Sequence, residues 1–399
     1  MAKKRVYLIS NYFHFASEKA SNRYRELAEL LSKEEDIELE VITSKFYQRT
    51  YQYRTNLEEL TRDVPFKVTF VDERAYNKSI CVKRLLASRD FGRNVLNYIK
   101  SQPKPDLIYQ VMPTLDVASA VSKYAKRNGI PLVIDIQDLW PEAFKMAINL
   151  PVISDILFTP YRIMANAAYR RADAICAVSE TYVERALKVN KTCQKTAAVY
   201  IGINLNVFDE NVKANPVEKN EKTTLAYCGS LSKSYDIRLV IDALAVMENP
   251  PRFLVMGGGN DLEPLKEYAK EKGVDAEFTG FLPYEKMCGL LCSADITVNP
   301  IVGASVASII NKHGDYAACG LPVINTQDSK EYCRLVEDYQ MGFNSVGLGA
   351  NELAEKIRLL MENAELREKM GKNARRCAEE RFNRVNTYAN LVNVIKELL

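Results

Sequence analysis

The stretch Ser308-Ile-Ile-Asn-Lys-His-Gly-Asp-Tyr-Ala-Ala-Cys-Gly-Leu-Pro-Val-Ile-Asn-Thr326 tells more about this chain than any other. Lys312 and Asp315 stand three apart, so a helix puts them on one face. Gly320 suits the end of that helix, and Pro322, Val323 and Ile324 read as a short buried strand after it. A cation and a carboxylate on the first turn of a helix, just before an α/β crossover, suit a ligand with phosphate at one end and vicinal hydroxyls at the other. A nucleotide-sugar has that form. Asn311, beside Lys312, belongs to the same candidate site.

Outward from this stretch the chain alternates between strand and helix patterns. Upstream of it, residues 224–228, 253–256, 276–279 and 296–299 read as strands, with helices near 237–247, 262–272 and 284–292. Downstream, residues 351–399 read as mostly helix. The first half repeats the alternation, with strands at 6–10, 39–43, 107–111, 131–136 and 174–178. Helices are expected at 22–33 and 116–128, and a third begins at Glu180 with Ser179 as its cap. Residues 45–90 are rich in Tyr and Arg and weak in periodicity, and are read as an insertion or mobile loop region. Such βαβ alternation implies parallel sheets covered on both faces. The expected fold is α/β, with two doubly wound Rossmann-like domains facing each other across a cleft. The first spans 1–208, the polar run 209–222 is a linker, the second spans 223–380, and 381–399 is a helix crossing back to the first. Ligands of such sheets lie beyond the carboxyl ends of the strands, so function should sit in the loops that follow them.

Composition narrows the partners. The chain is 47% hydrophobic with a net charge of +3, which argues against wholesale nucleic-acid binding. Residues 1–205 hold 31 Lys+Arg against 23 Asp+Glu, a net of +8, which leaves −5 for the rest. The first half should favour acidic partners such as lipid headgroups or a diphosphate, unless the asymmetry is chance variation over a solvated surface. Nine cysteines without a CxxC motif offer no zinc framework and suit a reducing compartment. The N-terminus leads into a strand too short for a signal sequence, and no run reaches the length of a membrane span, so the protein is expected to be cytoplasmic. Segment 148–164 is strongly apolar, with Arg162, Arg170 and Arg171 beside it. It is read as a buried helix in preference to a membrane-surface patch.

Several strand-end loops carry candidate chemistry. Asn22 and Arg23 open a helix after the first strand, where an anion is favoured, and His14 in the same loop is a candidate base or donor to a sugar hydroxyl, or an idle loop residue. Asp138, Trp140 and Glu142 follow the strand at 131–136. The indole suits a sugar face and the carboxylates its hydroxyls; helix-capping preferences explain the same residues equally well. Gly229, Ser230 and Lys233 follow the strand at 224–228 and have the makings of a phosphate loop without being a P-loop. Gly257 and Gly258 follow the next strand, where a plain tight turn is the competing reading. Lys233 and Lys312 together could offset the charge building on a departing diphosphate, each charge-assisted contact contributing roughly 1.5–3 kcal/mol.

Taken together, these pieces resemble the retaining glycosyltransferases of the GT-B fold, specifically glycosyltransferase family 4. The matching pieces are Asn22-Arg23, Asp138-Leu-Trp-Pro-Glu142, Ala177-Val-Ser179, Gly202-Ile-Asn204 before Phe208, Gly229-Ser-Leu231, Gly257-Gly-Gly259, Gly280-Phe281, Ala294-Asp295 before Pro300, and the block 311–324. The resemblance implies that Asp315 binds the nucleotide ribose, that Ala307 stands where the family has a glutamate touching the transferred sugar, that Phe281 and Leu282 flank the base, and that Glu331 lies near the donor. That departure at Ala307 resembles a branch whose members have Pro/Asn-x-Lys before an acidic-Tyr pair, as in bacterial surface-polysaccharide transferases.

The resemblance implies a metal-independent retaining transferase that takes a nucleotide diphosphate-sugar, most readily a UDP-sugar, and glycosylates a polyprenyl-diphosphate-linked or oligosaccharide acceptor at the inner membrane face. Lys233, Lys312 and His14 are its candidate catalytic residues; Asn22, Arg23, Asp138, Trp140 and Glu142 would meet the acceptor. No cofactor is expected. A GT-B epimerase or phosphorylase, and a binder inactivated by the change at Ala307, remain alternatives; a nicotinamide-dependent dehydrogenase lacks its glycine fingerprint.

Overall fold

The computed structural model describes residues 2–18, 23–78, 81–143, 151–301 and 308–399. The chain forms two units, Met1–Val199 with Tyr388–Leu399, and Tyr200–Thr387.

The first unit holds strands β1 (Lys4–Ile9), β2 (Ile37–Ser44), β3 (Phe46–Tyr47), β4 (Gln52–Tyr53), β5 (Lys67–Val71), β6 (Leu107–Met112), β7 (Leu132–Ile136), β8 (Ala174–Ala177) and β9 (Lys195–Ala198). Its helices are α1 (Arg23–Leu31), α2 (Leu57–Thr61), α3 (Val82–Ser101), α4 (Leu115–Asn128), α5 (Pro151–Arg171) and α6 (Glu180–Leu187). Seven strands form one sheet in the order β5-β2-β1-β6-β7-β8-β9, with every pairing parallel. Val6, Tyr7, Leu8 and Ile9 are all buried, as a strand covered on both faces requires. Ser179 caps α6 as expected, its hydroxyl accepting the Tyr182 amide.

The second unit continues with α7 (Leu205–Ala214), β10 (Thr224–Cys228), α8 (Ile237–Ala245), β11 (Arg252–Met256), α9 (Leu262–Glu271), β12 (Ala276–Gly280), α10 (Tyr284–Cys292) and β13 (Ile296–Asn299). Next come α11 (Asn311–Ala318), β14 (Val323–Asn325), α12 (Lys330–Tyr339), β15 (Gly342–Asn344), α13 (Ala350–Glu362), α14 (Ala364–Cys377) and α15 (Arg384–Thr387); α16 (Ala389–Lys396) returns to the first unit. Its sheet runs β12-β11-β10-β13-β14-β15, again all parallel. Along β10, Leu225 and Tyr227 enter one apolar cluster, while Ala226 and Cys228 enter the other. That is the two-residue alternation of a strand feeding two cores. The fold is thus α/β with two Rossmann-like halves.

Three expectations need correction. Residues 45–90 are not a loop region: they supply the edge strand β5 and the start of the twenty-residue helix α3. The opening of the polar run 209–222 belongs to α7, held by the buried Leu205 and Phe208 that precede it and by the Asn204 cap. Finally, α5 is not a fully buried helix, because Ile156 and Ile163 are 71% and 61% exposed. Residues 148–150 of that segment lie outside the described residues. No helix among the described residues is long and apolar enough to cross a membrane.

Candidate functional site

Parallel pairing brings the carboxyl ends of β10, β11, β12 and β13 to one edge of the second sheet, and the loops there interlock. Gly229 has a φ of 140° and Gly257 one of 155°, a region that side chains rarely adopt. A Cβ at Gly257 would stand 1.8 Å from the Gly229 carbonyl oxygen, and one at Gly229 would stand 2.5 Å from the Lys312 Nζ. Both loops therefore need glycine, one to let the backbones touch and one to keep the lysine head uncovered.

Lys312 occupies the first turn of α11 yet is only 8% exposed. Its ammonium lies 3.8 Å from the Tyr235 ring centroid and 4.2 Å from that of Tyr227. Nζ donates to the Tyr227 hydroxyl at 3.1 Å, and that hydroxyl donates to the Ser230 carbonyl at 2.6 Å. Among the described residues no carboxylate forms an ion pair with Lys312, and burial pulls its pKa down to about 7. A buried ammonium held by two aromatic faces and one hydroxyl has spare donor capacity for an anion.

Asp315 lies one turn further along α11. Burial pushes its carboxyl up to about 6, against the pull of the Tyr284 hydroxyl, which donates to Oδ1 at 2.8 Å. Between the two, His313 points inward. Its ring stacks on Tyr332 with centroids 3.4 Å apart, its Nδ1 accepts the Ile310 amide at 3.3 Å, and burial holds it neutral. Asn299, Asn325 and Gln327 surround it in a buried polar network. Glu331 is buried and accepts from the Ser308 hydroxyl at 2.7 Å. This layer fixes the first turn of α11 and thus the heads of Lys312 and Asp315.

The remaining second-unit candidates are arranged differently. Lys233 is exposed on the turn after Gly229 and Ser230, Asn311 is exposed at the helix start, and Gly258 is half-buried. Phe281 is 88% exposed, while Leu282 packs partly into the core. Tyr227, Tyr235 and Tyr284 were not singled out by sequence. Nothing in their spacing marks them, because they reach Lys312 and Asp315 across separate elements.

In the first unit several candidates are consumed by the fold. Arg23 is fully buried and pairs with both oxygens of Asp135 at 3.0 and 3.2 Å; it also donates to the Val199 carbonyl. It braces the core and does not face a ligand. Trp140 is 8% exposed, its Nε1 donates to Asp138 at 3.1 Å, and the Arg84 guanidinium lies 4.9 Å over its ring, which removes it as an open sugar platform. Burial raises the Asp138 carboxyl, the indole hydrogen bond opposing it. Glu142 pairs with Arg185 at 2.5 Å. His14 packs edge-on to Tyr47, its Nδ1 lacks a hydrogen-bond partner among the described residues, and burial takes its pKa down to about 4. At neutral pH it is an uncharged imidazole and a weak base. Asn22 and Ala307 lie outside the described residues. Glu73 was missed: buried and bonded by Ser44, it is pushed up to about 7 by desolvation.

Comparison with known proteins agrees with this division. Residues 208–377 match the family described as Glycosyl transferases group 1. An uncharacterized glycosyltransferase of Methanocaldococcus jannaschii, MJ1069, is 25% identical over 229 residues, 54% of this chain; the match spans about half the length of that relative, at 56%. Anabaena HepE in complex with UDP superposes with a TM-score of 0.67 at 17% identity, over 99% of this chain and 100% of that one. WaaG, a glycosyltransferase involved in lipopolysaccharide biosynthesis, gives 0.61 at 16% identity over 98% and 99%. These likenesses give the chain the GT-B fold, and with the family match over the second unit they support a glycosyltransferase.

Proposed function

We propose that this chain is a retaining glycosyltransferase that moves a sugar from a UDP-sugar to a saccharide or polyprenyl-diphosphate-linked acceptor in surface-polysaccharide synthesis. The observation that carries the reading is Lys312, a buried ammonium with no carboxylate ion-paired to it among the described residues, uncovered toward Gly229. HepE, which binds UDP, and WaaG, whose role is in lipopolysaccharide, support the donor and the pathway class.

In this reading Asp315 accepts from the ribose hydroxyls, with Phe281 and Leu282 beside the base and Glu331 near the transferred sugar. Lys312 faces the diphosphate, and Lys233 closes over it from the exposed turn. As the bond from the anomeric carbon to the phosphate oxygen breaks, charge grows on that oxygen and Lys312 stabilises it more than in the ground state. The acceptor oxygen attacks the same face, and its proton passes to the departing phosphate. Ammonium groups and backbone amides fill the role that a metal serves elsewhere, so no metal is required. Asp138, Glu142 and His14 stand on the acceptor side, which a membrane would present at its inner face.

The test is donor turnover with a saccharide acceptor, with and without a chelator, and with the anomeric configuration of the product read by NMR. Retained configuration and chelator-insensitive transfer support the reading. Inverted product, or binding of UDP with no transfer to any acceptor, refutes it.

A further inference from the structure

Two rungs join α10 to α11. Tyr284, Cys288 and Cys292 recur every four residues on α10 and share a face. Asp315 and Cys319 do the same where α11 ends, and the Cys319 amide donates to the Asp315 carbonyl at 3.1 Å. The first rung is the hydrogen bond from the Tyr284 hydroxyl to Asp315. The second is a contact between two thiols, in which Cys319 donates to Cys292. The strands repeat this pairing: β13 and β14 are parallel neighbours, and each begins four residues after its cysteine. Cys292 and Cys319 are both half-buried at the margin of one apolar cluster, and both are free. Cys288, between the rungs, is fully buried.

The surroundings give the two thiols different tasks. The hydrogen bond from Cys319, with Arg375 and Lys219 close by, holds the Cys292 thiol below the usual cysteine range, whereas burial raises that of Cys319. Gly320, next to Cys319, lines a groove of about 380 Å³ whose walls carry Lys219, Arg367, Lys372 and Arg375 against Asp295 and Glu368. That excess of positive charge favours a negatively charged oxidant. We propose that Cys292 and Cys319 are a modification site, closed to a disulfide by a low-molecular-weight disulfide that carries carboxylates, and that closure disturbs the rung between Tyr284 and Asp315. The Cys292 thiolate attacks one sulfur of the oxidant, forming a mixed disulfide and expelling the other half as a thiolate, which takes up the proton that Cys292 lost. Cys319 then gives up its proton and attacks the Cys292 sulfur, expelling the second half. Two protein thiols are oxidised, and the oxidant is reduced to two thiols. A sulfur–sulfur bond of about 2 Å is shorter than a hydrogen-bonded contact between thiols, so the last turn of α11 is drawn toward α10, and Asp315 lies within that turn. The effect on nucleotide affinity rests on the proposed donor site; the bond itself does not.

The reduced full chain is incubated with oxidised glutathione, alkylated, digested and mapped by mass spectrometry. We expect a peptide joining Cys292 to Cys319 and the release of about two glutathione thiols per chain. UDP affinity should fall by about two- to tenfold in calorimetry, the range of one hydrogen bond, and return with dithiothreitol. Cystamine, a cationic disulfide, should form the joined peptide more slowly. Cys319→Ser should retain glutathione on Cys292, and Cys292→Ser should leave Cys319 unmodified. Neither should change UDP affinity in the reduced state, which establishes that both variants fold. Adducts confined to Cys81, Cys193 or Cys333 without the joined peptide overturn the inference, and so does a joined peptide with unchanged UDP affinity. Closure by cystamine at an equal or faster rate overturns the choice of an anionic oxidant. Absence of UDP binding by the reduced chain strikes the donor reading alone, and the thiol pair is then judged by the joined peptide.

Discussion

The two units treat their charged strand-end residues in opposite ways. In the second unit Lys312 is buried and Asp315 half-buried, and they form no ion pair with one another: the lysine rests on tyrosine rings and the aspartate on a tyrosine hydroxyl. In the first unit Arg23 and Asp135 are buried and satisfied by each other, with Tyr109 donating to the same carboxylate at 2.6 Å. A buried charge that the fold has not paired is costly, so its persistence points to a ligand; a buried charge that is paired points to architecture.

Substitutions should separate these two kinds of burial. Arg23→Ala leaves Asp135 buried and uncompensated, and we expect a loss of about 3–5 kcal/mol of stability in denaturant titrations, with the UDP affinity of whatever remains folded unchanged. Lys312→Met should do the reverse. It removes an unpaired buried ammonium, so Tm should hold or rise, while UDP affinity falls by about 1.5–3 kcal/mol, roughly 10- to 150-fold by calorimetry. If Lys312→Met unfolds the protein instead, the distinction between the units collapses.

The pH profile sharpens the same contrast. Lys312 has its pKa lowered to about 7, so it is protonated below that value and loses its charge as pH rises through it. Asp315 has its pKa raised to about 6, so it is ionised above that value and becomes a neutral acid below it. UDP affinity should therefore peak between about 6 and about 7 and fall on both sides, by up to about tenfold per pH unit where one proton is linked to binding. Lys312→Met should flatten the alkaline limb only. A smaller effect is expected of Tyr284→Phe, which removes the hydrogen bond to Asp315 and should weaken nucleotide binding by about 1 kcal/mol. Smallest of all, Lys233→Ala, at an exposed position, should cost UDP binding less than about 1 kcal/mol at ordinary ionic strength, and lose even that in high salt.

Most strands of the two sheets were legible as short apolar runs, and β10, α10 and β13 coincide with the ranges read from sequence; the edge strands β5, β9 and β15, which are less apolar, were not read. The helix α3 was missed because its exposed face carries Val82, Leu85 and Leu86, which blurs the periodicity. The first half of the linker was misread because α7 buries only Leu205 and Phe208. Lys312 and Asp315 were legible from spacing within one helix. Their aromatic and hydroxyl partners were not, since Tyr227 lies 85 residues from Lys312 and Tyr284 lies 31 from Asp315. The same limit hid the role of Arg23, whose partner is 112 residues away. Sequence marks a charge in a loop; only the fold decides whether another part of the chain has already claimed it.

Proton uptake bears most directly on whether Lys312 is an anion site. UDP is titrated calorimetrically at a pH about one unit above 7, in two buffers of different ionisation enthalpy, against the wild type and Lys312→Met. We expect the wild type to take up close to one proton as the diphosphate recharges the lysine, and the variant to take up none. Equal proton uptake in the two proteins, or equal affinity, would contradict the assignment of Lys312 to the nucleotide diphosphate.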